Sequence, residues 1–257
     1  MIGIYLSGTG NSKHCVEKFV QLLDENGRTF PIENPQVIEE IKKETDIVVG
    51  YPTQFSNAPL MVRDFIRNNE AIWRGKRIFC INTMGAFSGD GTGCTARLFK
   101  KYGATVTGGL QIKMPDSVCD SKLLKKTAEA NKKIIRQADE KIESWAGKIK
   151  NGNYPKEGLY FYDHIAGLFG QRLWFCRETL KYSNKLKISD ACVGCGLCVN
   201  ECPMDNLVQQ SDGKPMPQGK CTMCYRCISH CPAQAITLLG KEVIEQTTFD
   251  KFNAGSN

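Results

Sequence analysis

What the sequence lacks narrows the classes of protein that it can encode. No run in the 257 residues approaches the roughly 20 consecutive apolar residues that a membrane-spanning helix needs. The opening residues, MIGIYLSGTGNS, carry no basic segment before their apolar run, so we expect no signal peptide and a cytoplasmic location. No dense block of Lys and Arg and no nucleic-acid-binding motif occurs. The formal charge of +7 therefore indicates a solvated surface rather than a nucleic-acid partner.

Cysteine, by contrast, is abundant and unevenly distributed. The chain has 13 cysteines, and the last eight lie between Cys192 and Cys231. The other five are scattered through the first 176 residues: Cys15, Cys80, Cys94, Cys119 and Cys176. A reducing compartment disfavours structural disulfides, so clustered cysteines there indicate metal or redox chemistry.

The first 150 residues alternate between strand-like and helix-like segments. Strands are predicted at residues 1–6, 28–32, 46–51, 77–83 and 105–114, and helices at 11–26, 59–68, 92–102 and 120–150. Alternation with continuous apolar strands indicates an α/β domain whose parallel sheet is covered on both faces. Five such strands fit a doubly wound sheet. We divide the chain into residues 1–150, a bridging segment at 151–185, a cysteine-rich domain at 186–240 and a tail at 241–257, which is expected to fray from residue 246.

The bridging segment contains an aromatic-rich stretch at residues 159–182, which holds seven of the 23 aromatic residues. Three interpretations stay open: a helix packed between two domains, a homodimer interface, and a membrane-surface helix. Sparse Lys and Arg disfavour the third.

The cysteine-rich domain contains one spacing twice. Cys-x2-Cys-x2-Cys-x3-Cys-Pro begins at Cys192 and again at Cys221, 29 residues later. This tandem resembles the bacterial two-cluster ferredoxins. The resemblance implies two 4Fe–4S clusters, each bound by three cysteines of one run and the last cysteine of the other. The two implied ligand sets are Cys192, Cys195, Cys198 and Cys231, and Cys221, Cys224, Cys227 and Cys202. Zinc would leave four thiols unexplained, and a disulfide scaffold conflicts with a reducing compartment.

A loop of small residues lies between the first predicted strand and the first predicted helix. It consists of Ser7, Gly8, Thr9, Gly10, Asn11 and Ser12. Backbone amides, hydroxyls and a helix N-terminus in this arrangement can bind a phosphate. The loop lacks the Gly-Lys-Ser/Thr ending of a nucleoside-triphosphate site. It resembles the FMN-phosphate loop of the flavodoxin family; the alternative is a turn that only caps the helix.

The flavodoxin resemblance implies strand order 2-1-3-4-5, with the ligand at the carboxyl ends of strands 1, 3 and 4. After strand 3, the candidate FMN-binding residues are Pro52, Thr53, Gln54, Phe55 and Ser56. After strand 4, they are Thr83, Met84, Gly85, Ala86, Phe87, Gly89, Asp90 and Gly91. Phe55 and Phe87 are candidates to stack on the flavin ring, although each is also a candidate core residue. A dinucleotide-like pattern, Gly91-x-Gly93-x-x-Ala96, follows strand 4 rather than the first strand, which disfavours NAD(P) binding.

Nearly the whole chain is thus similar to the flavodoxin–ferredoxin fusion proteins of anaerobic bacteria and archaea. The resemblance implies a flavodoxin-like α/β domain joined to a small α+β ferredoxin domain. It also implies an electron-transfer flavoprotein that adapts one-electron carriers to FMN, with ferredoxin-like donors or flavin and iron–sulfur acceptors as partners. Neither a catalytic triad nor a carboxylate pair is visible. A flavin reductase for a small organic or quinone acceptor and a non-redox metal-storage scaffold are the alternatives. Whether FMN faces clusters of its own chain or of a dimer partner stays open.

Overall fold

A five-stranded parallel sheet forms the centre of the first 150 residues. The computed structural model describes residues 1–123, 125–169, 173, 181–182 and 184–253. The sheet order is β2-β1-β3-β4-β5, and each neighbouring pair is parallel. The strands are β1 (Ile2–Tyr5), β2 (Arg28–Pro31), β3 (Asp46–Pro52), β4 (Arg77–Met84) and β5 (Thr105–Lys113). This order confirms the predicted doubly wound, flavodoxin-like sheet.

Helices cover both faces of this sheet. They are α1 (Asn11–Leu23), α2 (Val37–Lys43), α3 (Leu60–Asn68), α4 (Gly91–Lys101) and α5 (Ala128–Lys150), with a short 3₁₀ turn at Glu70–Trp73. On one face, Phe19 of α1 and Ile142 of α5 share a core with Phe79 of β4. On the other face, Ile66 and Phe99 pack in a second core with the strands. Burial on two faces explains why the strands are continuous apolar runs.

Two helices differ from the sequence prediction. α2 lies in a segment where no helix is predicted, and α5 begins at Ala128 rather than at residue 120. The Thr127 side chain caps α5 by accepting a hydrogen bond from the Ala130 amide at 3.2 Å. Asp120, 3% exposed, instead lies in a loop whose conformation is fixed by contacts with the C-terminal domain. Tertiary contacts thus override the helical periodicity before residue 128.

The segment after α5 contains a short helix, α6 (Phe161–Gly167). Phe161 and Tyr162 of this helix are 77% and 64% exposed, so their rings are not packed between two domains. His164 anchors the helix, because its Nδ1 lies 2.9 Å from the Asp90 carboxylate. Residues 170–172 and 174–180 of the aromatic-rich stretch lie outside the described residues, as does residue 183 just after it.

The cysteine-rich domain is a small α+β unit, as predicted. Its elements are β6 (Lys187–Ile188), α7 (Leu197–Asn200), β7 (Leu207–Gln209), β8 (Pro215–Pro217), α8 (Arg226–His230) and β9 (Ile236–Thr237). β6 pairs with β9 and β7 pairs with β8, both antiparallel. The core is small, with Leu207, Ile228 and Ile236 among its buried residues. Each cysteine run leads into one of the two short helices.

The C-terminal segment is not frayed where it is described. Helix α9 (Phe249–Asn253) buries Phe249 and Phe252 against the core that contains α1 and α5. The Phe249 ring stacks on His14 at 4.1 Å, and its amide donates to the Thr9 carbonyl at 2.7 Å. The predicted fraying is therefore wrong for residues 249–253. Throughout the described ranges, no helix has the length and apolar character needed to cross a membrane.

Candidate cofactor sites

Two small cavities in the C-terminal domain are each surrounded by four cysteines. One is lined by what we call the first thiol set: Cys192, Cys195, Cys198 and Cys231. The other is lined by the second thiol set: Cys202, Cys221, Cys224 and Cys227. Each set takes three thiols from one run and one from the other. The fold thus brings together the two groups of four that the ferredoxin resemblance implies.

The donor chemistry at these cavities fits iron–sulfur clusters. In the described part of the chain, no three His, Cys, Asp or Glu side chains converge tightly enough to hold a single metal ion. Each cavity instead has four thiols, which are soft ligands suited to iron–sulfur clusters. Backbone amides donate to the Cys202, Cys221 and Cys231 sulfurs at 3.3, 3.4 and 3.4 Å. Such bonds stabilise negative charge on sulfur.

Burial makes Cys224 and Cys227 of the second thiol set reluctant to ionise without a cation. It raises the pKa of Cys224 to about 11. Burial, followed by the neighbouring Cys224, also raises the pKa of Cys227. A bound iron centre reverses this preference, because a coordinated thiol is deprotonated.

A larger pocket, of about 390 Å³, lies at the carboxyl edge of the parallel sheet. The loops after β1, β3 and β4 form much of its wall. The predicted site residues on this wall are Ser7, Gly8, Thr9, Asn11, Ser12, Pro52, Thr53, Gln54, Phe55, Thr83, Met84, Gly85, Ala86 and Phe87. Most of the predicted FMN site is therefore gathered around one cavity.

Five predicted site residues do not line this cavity: Gly10, Ser56, Gly89, Asp90 and Gly91. Gly10 adopts φ 93° just before α1, a left-handed conformation that suits glycine. Asp90 is fully buried and binds Arg97 and His164 behind the loop after β4. The dinucleotide-like pattern at Gly91–Ala96 is likewise buried at the start of α4, away from the pocket lining.

One end of the pocket is suited to a phosphate. The first amides of a helix lack intrahelical acceptors, and those of α1 begin at the loop that contains Thr9. The Ser12 hydroxyl lies 2.7 Å from the Thr83 hydroxyl, and Asn11 Nδ2 donates to the Pro115 carbonyl at 2.9 Å. Asn11 Oδ1 is buried and has no hydrogen-bond partner among the described residues. A ligand hydroxyl beside the phosphate would satisfy this acceptor.

The other end of the pocket is apolar and partly open. Phe55 packs against the small core of the C-terminal domain, whereas Phe87 is 47% exposed and is not a core residue. Phe55 and Ser56 adopt φ values of 50° and 55°, so the loop after β3 turns sharply beside the cavity. This end can accommodate a planar aromatic ring between the two loops.

Sequence reasoning missed a third side of the pocket, which includes Met114, Pro115, Asp116, Ser117, Val118, Ser121, Leu123, Met223, Cys224, Tyr225 and Leu239. Burial raises the pKa of Asp116. The residues from Met114 to Val118 follow β5 at the same sheet edge. Because ligands of doubly wound sheets bind at the carboxyl ends of the strands, their position was a signal that sequence reasoning could have used. No local signal marks residues 223–225 as part of this wall.

The wall between the pocket and the second thiol set is shared. Cys224 lines both cavities. A Cβ atom on Gly8 would lie 1.7 Å from the Cys224 carbonyl oxygen, so the two loops are in direct backbone contact.

Polar contacts fix the same junction. Gln54 Nε2 donates to the carbonyls of Thr222 and Met223, at 2.7 and 3.3 Å. The Arg226 guanidinium donates to the Ser7 carbonyl at 2.9 Å and binds Glu33 at 2.5 Å. Loops from both domains are therefore held together beside the second thiol set.

Comparisons with known proteins identify the cysteine-rich domain. Residues 191–236 match the family model of the 4Fe-4S dicluster domain. A component of the Na⁺-translocating ferredoxin:NAD⁺ oxidoreductase complex of Acetobacterium woodii is 38% identical over 81 residues, covering 30% of this chain and 24% of the relative. The chain thus spans about a quarter of that relative's length.

A ferredoxin of Methanothermococcus thermolithotrophicus is 40% identical over 52 residues, covering 19% of this chain and 87% of the relative. A flavodoxin structure from the domain Archaea is 19% identical, with a TM-score of 0.43, covering 58% of this chain and 97% of that one. The fold assignment rests on the observed strand order rather than on that likeness. Through its dicluster domain the chain belongs to the ferredoxin family, and it is a fusion of that domain with a flavodoxin-like domain.

Proposed function

We propose that this protein transfers electrons between two 4Fe–4S clusters and FMN held by the same chain. Iron–sulfur clusters exchange single electrons, whereas FMN accepts one or two, so the pair adapts one-electron carriers to flavin chemistry. The observation that carries the proposal is the wall shared through Cys224, a candidate cluster ligand that also lines the candidate flavin pocket.

In this proposal each thiol set binds one cluster, and the sheet-edge pocket binds FMN. The loop from Ser7 to Ser12 holds the phosphate with its amides and hydroxyls. Asn11 accepts a hydrogen bond from the ribityl chain through its buried Oδ1. Phe55 and Phe87 lie beside the flavin ring, and the loop at residues 223–225 excludes water from the cluster side.

Redox proteins are the proposed partners, and the first thiol set is the proposed point of contact. Cys195 is exposed, and neighbouring Val193 is 70% exposed, so this set lies near the surface. Cys224, by contrast, lies against the flavin pocket. We assign the protein to the cytoplasm because free clustered thiols require a reducing compartment.

A homodimer through α6 is part of the same proposal. The exposed rings of Phe161 and Tyr162 give this helix an apolar face that a second copy of the chain would cover. Sedimentation at micromolar concentration should give a dimer mass, and a monomer mass would contradict this part of the proposal.

Metal and flavin analysis of anaerobically purified protein tests the central claim. We expect about eight irons and one FMN per chain. Cys195→Ser should lose iron from the first set but keep FMN. Cys224→Ser should lose iron from the second set and abolish rapid flavin reduction by the remaining iron. Cys15→Ala, which removes a buried thiol outside both sets, is the control and should keep the full content. Zinc in place of iron, or failure to bind FMN, would contradict the proposal.

A flavin reductase acting on a small organic or quinone acceptor is the second candidate. It is favoured by the open mouth of the pocket, where Phe87 and Leu123 are 47% and 87% exposed. Steady-state turnover with a soluble benzoquinone tests it. Saturable turnover with a KM that Phe87→Ala raises supports a reductase, and turnover that is slow and unsaturated supports the carrier function alone.

A further inference from the structure

The hydroxyl of Thr222 lies at the second thiol set and has no hydrogen-bond partner among the described residues. The residue is 5% exposed and lines the cavity surrounded by Cys202, Cys221, Cys224 and Cys227. Its Oγ1 is itself buried. Burying a hydroxyl without a hydrogen bond costs free energy, so buried hydroxyls are almost always paired. An atom of whatever occupies the cavity is therefore its expected acceptor.

The matching position of the first cysteine run has no such donor. Thr222 follows the first cysteine of its run, as Val193 does in the run that begins at Cys192. Val193 is apolar and 70% exposed, so it offers neither a hydroxyl nor a buried environment. At equivalent positions of the two cysteine runs, the second thiol set therefore has a buried hydrogen-bond donor that the first thiol set lacks.

The backbone of Thr222 is held in place from the flavin side. Its carbonyl accepts a hydrogen bond from Gln54 Nε2 at 2.7 Å, and Gln54 itself lines the flavin pocket. The neighbouring Met223 amide donates to the Cys221 sulfur at 3.4 Å. These contacts fix the segment that carries the hydroxyl, so the donor is positioned before any ligand binds.

We propose that the Thr222 hydroxyl donates a hydrogen bond to a sulfur of the cluster in the second thiol set and raises its reduction potential above that of the first. The inference rests on the proposed function. Hydrogen bonds to ionised acceptors are about twice as strong as neutral ones, so a donor favours the cluster state with the additional negative charge. Hydrogen bonds to cluster sulfurs are among the factors that set such potentials. An electron shared between the two clusters is therefore more stable on the cluster beside the flavin pocket.

Redox titration of the holoprotein, followed by electron paramagnetic resonance, tests this role. Thr222→Val removes the hydroxyl at nearly constant volume. We expect the reduction equilibrium of one cluster to shift about tenfold towards the oxidised form, which is about 59 mV for a one-electron couple. Thr222→Ser keeps the hydroxyl and should stay within about twofold of wild type. Val193→Thr is the matched control and should leave the cluster of the second set unchanged.

Iron content and a proton-sensitive signal separate the outcomes. Electron–nuclear double resonance should detect an exchangeable proton near one cluster that is lost in Thr222→Val, and Thr222→Ala serves if the valine variant assembles poorly. Unshifted potentials in iron-replete valine and alanine variants would overturn the inference, as would an equal shift in the serine variant. The proposed electron-transfer function would survive that result. Wild-type protein without iron–sulfur clusters would overturn both.

Discussion

The contact between Gly8 and Cys224 gives the sharpest test of the shared wall. A Cβ atom at Gly8 would lie 1.7 Å from the Cys224 carbonyl oxygen, half of the 3.4 Å at which ordinary contact begins. The position of a Cβ is set by the backbone, and its neighbour here is a backbone oxygen, so no side-chain rotation relieves the overlap in Gly8→Ala. Overpacking of this kind costs about 1–3 kcal/mol. If the phosphate loop moves to relieve it, the affinity for FMN should fall by about 5- to 150-fold.

Two measurements check this prediction on the iron-loaded protein. Quenching of FMN fluorescence gives the dissociation constant, and single-turnover absorbance gives the rate at which prereduced iron reduces the flavin. Gly8→Ala should weaken binding and slow this transfer. Gly147→Ala is the control, because a Cβ there meets no atom within 4 Å on the exposed side of α5. If Gly8→Ala matched wild type within twofold in both measurements, the loops would not be in contact and the reasoning would be refuted.

Three further substitutions test other parts of the structure. Asp120→Ala leaves four donors without their acceptor, of which the Tyr225 hydroxyl and the Leu238 amide are buried. It should lower the free energy of unfolding by about 3 kcal/mol in denaturant titrations, more than Asp120→Asn, and a loss below about 1 kcal/mol would contradict this. Phe249→Ala should cost about 3 kcal/mol because the ring is buried, whereas Lys132→Ala, at an exposed site on α5, should cost less than about 0.5 kcal/mol; equal costs would argue against packing of α9. Burial raises the pKa of the Asp116 carboxyl group in the folded state. The stability that this shift contributes is therefore complete below the ordinary pKa of 3.8 and is lost as the pH rises through the higher folded-state pKa. Asp116→Asn should therefore exceed wild type in thermal stability at pH 7, by a margin that narrows as the pH falls; a constant margin would refute the assignment.

The sequence predicted the sheet because its signal is local and repeated. Each strand is a short apolar run, and a helical segment follows most of them, so the order of the elements follows from the chain itself. The start of α5 could not be predicted in the same way. Leu124 fits the helical stripe that continues from residue 128, but Asp120 is held by amides and a hydroxyl more than 100 residues away. Long-range contacts of that kind leave no mark on the periodicity.

The two candidate sites show the same contrast between features that local sequence predicts and features that long-range contacts decide. Cysteine spacing and the loop from Ser7 to Ser12 predicted a ferredoxin domain and a phosphate site, since each motif places its donors within a few residues. The assignment of individual ligands to FMN and iron stays a prediction. The third wall of the pocket could not be predicted, because it brings residues 114–118 together with residues 223–225 across a domain junction.

The amino-acid sequence by itself determined the chemistry available to this protein: thiols in two repeated runs, a small-residue loop before a helix, and strands in an order fit for a doubly wound sheet. Only the tertiary structure decided that the second thiol set, rather than the first, lies against the pocket at the carboxyl edge of the parallel sheet. The physical reason is that a motif is built from near neighbours in the chain. The contact between Gly8 and Cys224, by contrast, joins two surfaces whose fit depends on the packing of both domains.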